Sequence, residues 1–340
     1  MNDRNQCIAR FLGRTGWDTA TSEPIIGDAS PRRYFRLTHG EQSAILMDAP
    51  PEAGPDVTAR FSRMAFWLRS HGFSAPEILV EDHANGILII EDLGDALIAR
   101  LVVEDPLRDR ELTTVATGFL ADLGKFPPPD FVEKLDGPAL AELVSLTPRW
   151  YLAGIGAVAP KAAHDLPKLI EREYDRLSDG RYVLSLRDFH AENLIWLPDR
   201  IGTARLGLLD FQDAVAAHPA YDLVSLLQDA RRDVSDATER KMIARFTQAT
   251  GVDPGTFGAI YALLGAQRAL RIIGVFSRLV LHFGKPRYLD LMTRVWGYLA
   301  RDLVHPELSE LAALVHETLP EPTPERIERI RSQCGQFPTP

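Results

Sequence analysis

The residues best placed to do chemistry lie in Ser185-Leu-Arg-Asp-Phe-His-Ala-Glu-Asn193 and, a short way on, in Leu208-Leu-Asp-Phe-Gln-Asp213. An Arg-Asp pair, an Asn five residues after the Asp, and an Asp-Phe beyond an intervening hairpin suit phosphoryl transfer from ATP. The transition state of that reaction is loose, so its demands are positioning and charge rather than covalent help. Asp188 is read as the carboxylate that accepts the acceptor hydroxyl's hydrogen bond. Asn193 and Asp210 are read as Mg²⁺ ligands, since Mg²⁺ takes hard oxygen donors and relies on one or two protein groups plus the phosphates. The alternative for Asp188, a loop carboxylate capping its neighbours, gives no reason for the second half of the pattern.

Around this core stand several further candidates. His190 and Glu192 could meet the acceptor, although a histidine packed on its own loop is the commoner outcome; Asp213 could meet the acceptor, ligate the metal or stand behind a ligand, with a plain loop cap an equal alternative. Asp222 could cap a helix that starts near Tyr221, or pair with Arg187 and brace the loop. Protein kinases grip the α- and β-phosphates with a lysine on the third strand. No lysine precedes Lys125 in this chain, and the matching strand reads Ala44-Ile-Leu-Met47. Arg32, Arg33 and Arg36, on or beside the turn Gly27–Pro31, are therefore the candidates for the phosphate grip, because guanidinium forks suit phosphate oxygens. Gly27, Asp28 and Ser30 would lie in that turn against the nucleotide. Glu91 and Leu93 would offer backbone groups to the adenine edge, with the acidic side chains of Ile90-Glu-Asp-Leu93 facing solvent.

The elements that must position these residues are legible from periodicity. An amphipathic helix over 4–17 carries Ile8, Phe11, Leu12 and Trp17. Strands are expected within 24–37 on either side of the turn, at 43–48, at 77–80 and at 86–90, with a helix from Asp56 to Gly72. Residues 96–180 read as mostly helical, broken by Pro127-Pro-Pro129 and Pro148. A short strand at 182–186 leads into the Asp188 loop, and 194–197 and 206–209 pair as a hairpin that ends on Asp210. Residues 218–318 return to helix, and the proline-containing tail after Leu319 is expected to fray or lie on the surface. This predicts an α+β, bilobal, protein-kinase-like fold: a small antiparallel-sheet N-lobe over 1–92, a mostly helical C-lobe over 93–318 and a tail over 319–340.

Bulk properties narrow the function classes. The 340 residues carry a net charge of −9, which is not the footprint of a nucleic-acid binder, and no Lys/Arg-rich face suits an anionic membrane. Met-Asn-Asp-Arg-Asn-Gln lacks a cationic stretch followed by an apolar one, and Cys7 and Cys334 are expected as free thiols. The most apolar window, 260–283, is interrupted by Gln267, Arg268, Arg271 and Arg278, as in a buried helix with a polar stripe. A soluble cytoplasmic protein with a small-molecule substrate and no obligate protein partner is expected.

Taken as a set, Gly27-Asp-Ala-Ser-Pro-Arg-Arg-Tyr-Phe-Arg36, Met47-Asp-Ala-Pro-Pro51, Ile90-Glu-Asp-Leu-Gly-Asp95, Leu209-Asp-Phe-Gln-Asp-Ala214, Tyr221-Asp-Leu-Val-Ser-Leu-Leu-Gln-Asp-Ala-Arg231, Gln267-Arg268 and Gly284-Lys-Pro-Arg-Tyr288 resemble the aminoglycoside phosphotransferase/choline kinase family over about residues 20–305. Within it they look like the bacterial anomeric kinases of peptidoglycan recycling, which phosphorylate N-acetylmuramate and N-acetylglucosamine at C1. The resemblance implies ATP and Mg²⁺ as cofactors, Asp188 as base or orienter, and Asn193 and Asp210 as metal ligands. Arg268 and Arg271, on the polar stripe of the late helix, are candidates to meet the sugar. Two departures stand out. The wider family usually has His at the place of Leu186 and Gly at the place of Arg187, and the strand lysine is missing. An aminoglycoside, choline or homoserine kinase remains an alternative acceptor class, and a nucleotide-binding pseudokinase an alternative without turnover.

Overall fold

The computed structural model describes residues 3–25, 31–50, 53–54 and 56–338. The chain folds as two compact units, the first built from Met1–Phe119 and His190–Ala214, the second from Leu120–Phe189 and Val215–Pro340.

The first unit opens with helix α1 (Asp3–Thr15) and strands β1 (Thr21–Ile25), β2 (Arg33–His39) and β3 (Gln42–Asp48). Helix α2 (Val57–Ser70), strands β4 (Ile78–Asp82) and β5 (Ile87–Glu91), and helices α3 (Ile98–Glu104) and α4 (Asp109–Leu123) follow, α4 running on past the end of the unit. The five strands form one antiparallel sheet in the order β1-β2-β3-β5-β4. Its centre is apolar on both faces: Ala44 to Met47 and Ile87 to Ile90 are all buried. Phe11 of α1 joins Leu37, Ala44, Leu46, Ile87 and Ile89 in one cluster, with Cys7, Ile8, Leu12 and Trp17 packed against it, so the amphipathic stripe of α1 covers one sheet face. Gly72, at φ +83°, supplies the left-handed residue that ends α2 where the sequence placed its stop.

The second segment of this unit contributes strands β7 (Leu194–Trp196) and β8 (Leu206–Leu208), which pair antiparallel. Backbone bonds tie this hairpin to the first segment: Leu208 N–H to Ser74 C=O at 3.0 Å and Trp196 N–H to Ala96 C=O at 2.8 Å. Ser74 Oγ donates to Ala204 C=O at 2.6 Å. The division of the chain therefore differs from a boundary at residue 92. The period changes from strand to helix at that boundary, and only the long-range bonds of the hairpin reveal that α3 and most of α4 belong with the sheet.

In the second unit, α5 (Gly137–Val144), a π-helical turn (Thr147–Leu152), α6 (Leu166–Leu177) and β6 (Val183–Ser185) precede β9 (Val215–Ala217), which pairs with β6. Helices α7 (Ala220–Leu227), α8 (Asp236–Thr250), α9 (Pro254–Leu281), α10 (Met292–Asp302), α11 (Ser309–Thr318) and α12 (Pro324–Arg331) complete it. The 28 residues of α9 form its axis, in contact with α5, α6, α7, α8, α10, α12 and the π-helical turn. Gly274 of α9 is required there, since a Cβ would come within 2.7 Å of the backbone at Leu146 and Thr147. Although α9 is long and apolar enough to cross a membrane, 83% of its most apolar window is buried inside the protein, as in a core helix.

The tail does not fray. Ile330 of α12 is fully buried, and Gly335 and Phe337 donate their N–H groups to Val280 and Leu281 C=O at 3.0 Å each. Prolines and charges dominate that segment's composition, yet one buried isoleucine and a few backbone bonds are enough to anchor it. Cys7 and Cys334 are free thiols.

Candidate active site

Asp188 is presented by an unusual piece of backbone. Leaving β6, the chain places Arg187 at φ +71°, and Asp188 N–H donates to Leu186 C=O at 2.8 Å. A three-residue turn closed by such a bond around a non-glycine residue with positive φ is strained. The buried carboxylate of Asp222, in the first turn of α7, holds it. Asp222 Oδ1 accepts from Ser185 Oγ at 2.7 Å and from Arg187 N–H at 3.0 Å, and its Oδ2 accepts from Leu186 N–H at 2.6 Å. Asp222 thus braces the loop, but through the backbone amide of Arg187 rather than its guanidinium. It does not act as a helix cap. Burial pushes its carboxyl up to about 6, against the pull of those three donors.

Two arginines of α9 sit one turn apart in the same unit. Arg268 is buried and donates from Nη2 to Ser225 Oγ at 2.8 Å; Arg271 donates from Nη1 to Tyr221 Oη at 3.0 Å. Burial draws the Arg268 guanidinium below its ordinary value while Tyr221, Asp188 and Asp229 pull the other way. For Arg271, burial again opposes the charge, but Tyr221 and Asp188 outweigh it and hold the group above its ordinary value.

The metal-ligand candidates lie in the first unit, at the open end of the β7–β8 hairpin. Leu209 N–H donates to Asn193 C=O at 2.9 Å, which sets Asn193 beside the residue preceding Asp210. Asp210 is again a non-glycine in the left-handed region, at φ +55°. The phenyl ring of Phe211, fully buried, lies 4.7 Å from that of Phe61 on α2 and anchors the turn. Asp210 Oδ1 accepts from Arg32 Nη2 at 2.7 Å and from Gln212 Nε2 at 2.9 Å, while Oδ2 accepts from no described residue. Gln212 also donates to Asp213 Oδ2 at 3.0 Å, so one amide fixes both carboxylates of the motif. An amide and a carboxylate on a rigid turn are the hard-oxygen set that suits Mg²⁺ shared with phosphates. No cluster of three or more His, Cys, Asp or Glu that could hold a metal occurs among the described residues.

The remaining candidates separate clearly. Gly27, Asp28 and Ser30 lie outside the described residues. Arg32, half-buried beside Tyr34, is the arginine that reaches Asp210, and Tyr34 and Asp210 hold its guanidinium above the ordinary value although burial opposes them. Arg33 instead donates from Nε to Asp48 Oδ2 at 2.8 Å, opposite it across β2–β3, and Arg4 Nε donates to Asp48 Oδ1 at 2.8 Å. Asp48 is fully buried, so these two arginines neutralise it. Arg36 is engaged by Asp92 and Asp95, at 2.7 Å each.

The acidic side chains at the end of β5 are not simply in solvent. Glu91 meets Arg200 at 2.5 Å and Arg69 at 3.3 Å, and Asp92 is held by Arg36 and Ser43. Leu93 is buried and approaches Gly207, where a Cβ would sit 3.1 Å from its Cδ1. His190 is buried with Nε2 3.5 Å from Asn193 Nδ2; Glu192 and Asp213 are exposed, and Asp213 lies 3.4 Å from Arg60. Ser185 and Gln212 were not singled out from the sequence, although Gln212 stands between the two aspartates it fixes.

The profile of the phosphotransferase enzyme family matches residues 21–261. The chain belongs to that family. Among its relatives, the N-acetylmuramate/N-acetylglucosamine kinase of Caulobacter vibrioides is 38% identical, covering 95% of this chain and 98% of its own length. The Pseudomonas aeruginosa protein of the same name is 32% identical over 92% of this chain and 93% of its own length. Among solved structures, a microcompartment-associated aminopropanol kinase superposes with a TM-score of 0.63 at 15% identity, over 89% of this chain and 98% of its own. A choline/ethanolamine kinase family protein from Mesorhizobium loti gives 0.56 at 16%, over 97% and 98%. At such identities these two establish the fold, the kinase-like α+β architecture expected from the sequence. As a member of the phosphotransferase family the protein is a small-molecule kinase that uses ATP.

Proposed function

We propose that this phosphotransferase moves the γ-phosphoryl group of ATP to the anomeric C1 hydroxyl of N-acetylmuramate and N-acetylglucosamine, in the cytoplasm and with Mg²⁺. The observation that carries the reading is the 38% identity to the Caulobacter vibrioides kinase along 95% of the chain. A hemiacetal hydroxyl is more acidic than an ordinary alcohol, so a single carboxylate is an adequate partner for its proton. Asp188 accepts that hydrogen bond, and Asp222 fixes the strained turn that presents it. Asn193 and Asp210 hold the metal, which when bound neutralises charge on the phosphates. Arg32, bonded to Asp210 and half-buried beside it, takes the place of the absent strand lysine at the phosphates. Arg33 and Arg36 serve the sheet and its outgoing strand.

The test is incubation with ATP, Mg²⁺ and each sugar, following ADP and the reducing end together. Transfer to C1 abolishes the reducing end in step with ADP release. ADP release with the reducing end intact would place the acceptor hydroxyl elsewhere, and the absence of turnover with either sugar would overturn the reading.

A further inference from the structure

Arg268 and Arg271 are two second-unit cations that no carboxylate hydrogen-bonds. Arg268 is buried and Arg271 half-buried, yet their hydrogen bonds go to hydroxyls, Ser225 Oγ at 2.8 Å and Tyr221 Oη at 3.0 Å. Neither forms an ion pair with any carboxylate among the described residues, and Arg268 Nε is buried without a hydrogen-bond partner. An uncompensated buried cation is costly, and proteins retain one where a ligand supplies the counter-charge. The carboxylates whose fields reach Arg268 are Asp188 and Asp229, and for Arg271 only Asp188. Asp229 accepts Arg231 N–H at 2.9 Å and lies 3.8 Å from Arg232 Nε; its Oδ2 has no hydrogen-bond partner, but it hydrogen-bonds neither Arg268 nor Arg271. Asp188 must stay available to the acceptor hydroxyl. The place for the missing anion is therefore beside the acceptor.

We propose that Arg268 and Arg271 seat a carboxylate carried by the acceptor sugar, so that the lactyl acid N-acetylmuramate is preferred over N-acetylglucosamine, which lacks that group. The proposal rests on the sugar-kinase reading above. The lactyl ether is carried on C3, on the same ring as the C1 hydroxyl, and both arginines share the field of the residue that receives that hydroxyl. A guanidinium fork matches a carboxylate in two parallel hydrogen bonds, and Arg268 Nε supplies a donor that no protein group uses. A site built to pair with a charged group discriminates strongly against the analogue that leaves it unpaired. A cationic acceptor would be repelled by the same pair.

The experiment compares kcat/KM for the two sugars in the wild type, Arg271→Gln, Arg271→Lys and Arg268→Gln, together with the methyl ester of N-acetylmuramate. The wild type is expected to favour the free acid, and the ester to behave like N-acetylglucosamine. In Arg271→Gln the ratio of the two kcat/KM values should fall by about 30-fold or more, with part of it restored in Arg271→Lys. An unchanged ratio, with both sugars losing alike, would mean that the arginines serve Asp188 or the phosphates and would overturn the proposal. So would an ester as good as the acid. Should Arg268→Gln not fold, the part-exposed Arg271 carries the test alone. Should the wild type phosphorylate neither sugar, the kinase reading falls and calorimetry decides the seat separately. N-acetylmuramate binding that Arg271→Gln abolishes supports it; binding that is absent, or equal in both proteins, refutes it.

Discussion

The candidate site arginines of the two units meet opposite kinds of partner, although other arginines of the second unit, such as Arg176 and Arg301, are also ion-paired. In the first, Arg32, Arg33 and Arg36 each meet a carboxylate at 2.7 to 2.8 Å: Asp210, Asp48 and the Asp92/Asp95 pair. In the second, Arg268 and Arg271 meet hydroxyl groups only. A paired arginine in a partly buried place is mostly architecture, since its charge is already spoken for. An unpaired one keeps its attraction for something that arrives later. Within the first unit the same rule ranks the three: Arg33 serves a fully buried aspartate, whereas Arg32 serves one that retains a carboxylate oxygen without any hydrogen bond from a described residue.

The sharpest way to break this contrast is to remove the carboxylate on the acceptor side. Asp188→Asn should lower kcat by roughly a thousandfold or more while nucleotide affinity, read by calorimetry, hardly moves. Comparable turnover in that variant would mean that another group receives the proton.

Next in size is the brace. Asp222→Asn sets an amide N–H₂ against backbone donors, and kcat should fall on the order of a hundredfold as the turn at Arg187 relaxes. The wild-type carboxyl, raised by burial to about 6 from an ordinary value of 3.8, also carries a pH signature. A raised value in the folded state means that stability from this group is full below pH 3.8 and is lost as pH rises through about 6. The loss amounts to roughly 3 kcal/mol. Activity runs the other way, because protonation leaves one of three donors facing an O–H, so kcat should drop on the acid side of about pH 6. Melting temperatures of wild type and variant at pH 4 and pH 7 check the first, and the acid limb of the kcat profile checks the second.

A smaller effect divides the first-unit arginines. Arg32→Met should raise KM for ATP about tenfold with little change in melting temperature. Arg33→Met should leave KM for ATP alone and cost about 2 kcal/mol of stability by baring one side of Asp48. Equal KM effects would erase the distinction drawn between them. Smallest of all is Arg36→Met, where partly exposed pairs with Asp92 and Asp95 contribute on the order of 1 kcal/mol or less. A large fall in its melting temperature would mean that the strand end depends on it.

Much of this was legible in the sequence because it is written locally. The Asp188-to-Asn193 spacing, the hairpin ending on Asp210, and the alternation of strands with α2 all depend on neighbours within a few residues. The five-stranded sheet followed from short apolar runs bounded by turns, and α9 from its apolar window and polar stripe. What stayed hidden depends on partners far along the chain. Arg32, Arg33 and Arg36 are near-identical as letters, and only the distant Asp210, the facing Asp48 and the pair Asp92/Asp95 tell them apart. That Asp222 would reach the amides of Leu186 and Arg187, and not the Arg187 side chain, is a matter of where α7 begins relative to β6. Burial of Arg268 is likewise invisible in a stripe that reads as generic polarity, and Ile330 in a tail of prolines and charges gives no warning that it anchors.

The chain enters and leaves its first unit twice, departing after Phe119 and returning at His190. No single cut in the gene can therefore release that unit whole. A fragment ending at residue 119 would carry Arg32 and lose both Asn193 and Asp210, while a fragment starting at residue 120 would take those two metal-ligand candidates away from the sheet they belong to. Anyone grafting a new acceptor preference onto this scaffold by recombination must exchange the segments on either side of 190–214 as a matched set. Crossovers placed by sequence order alone would separate parts that fold together.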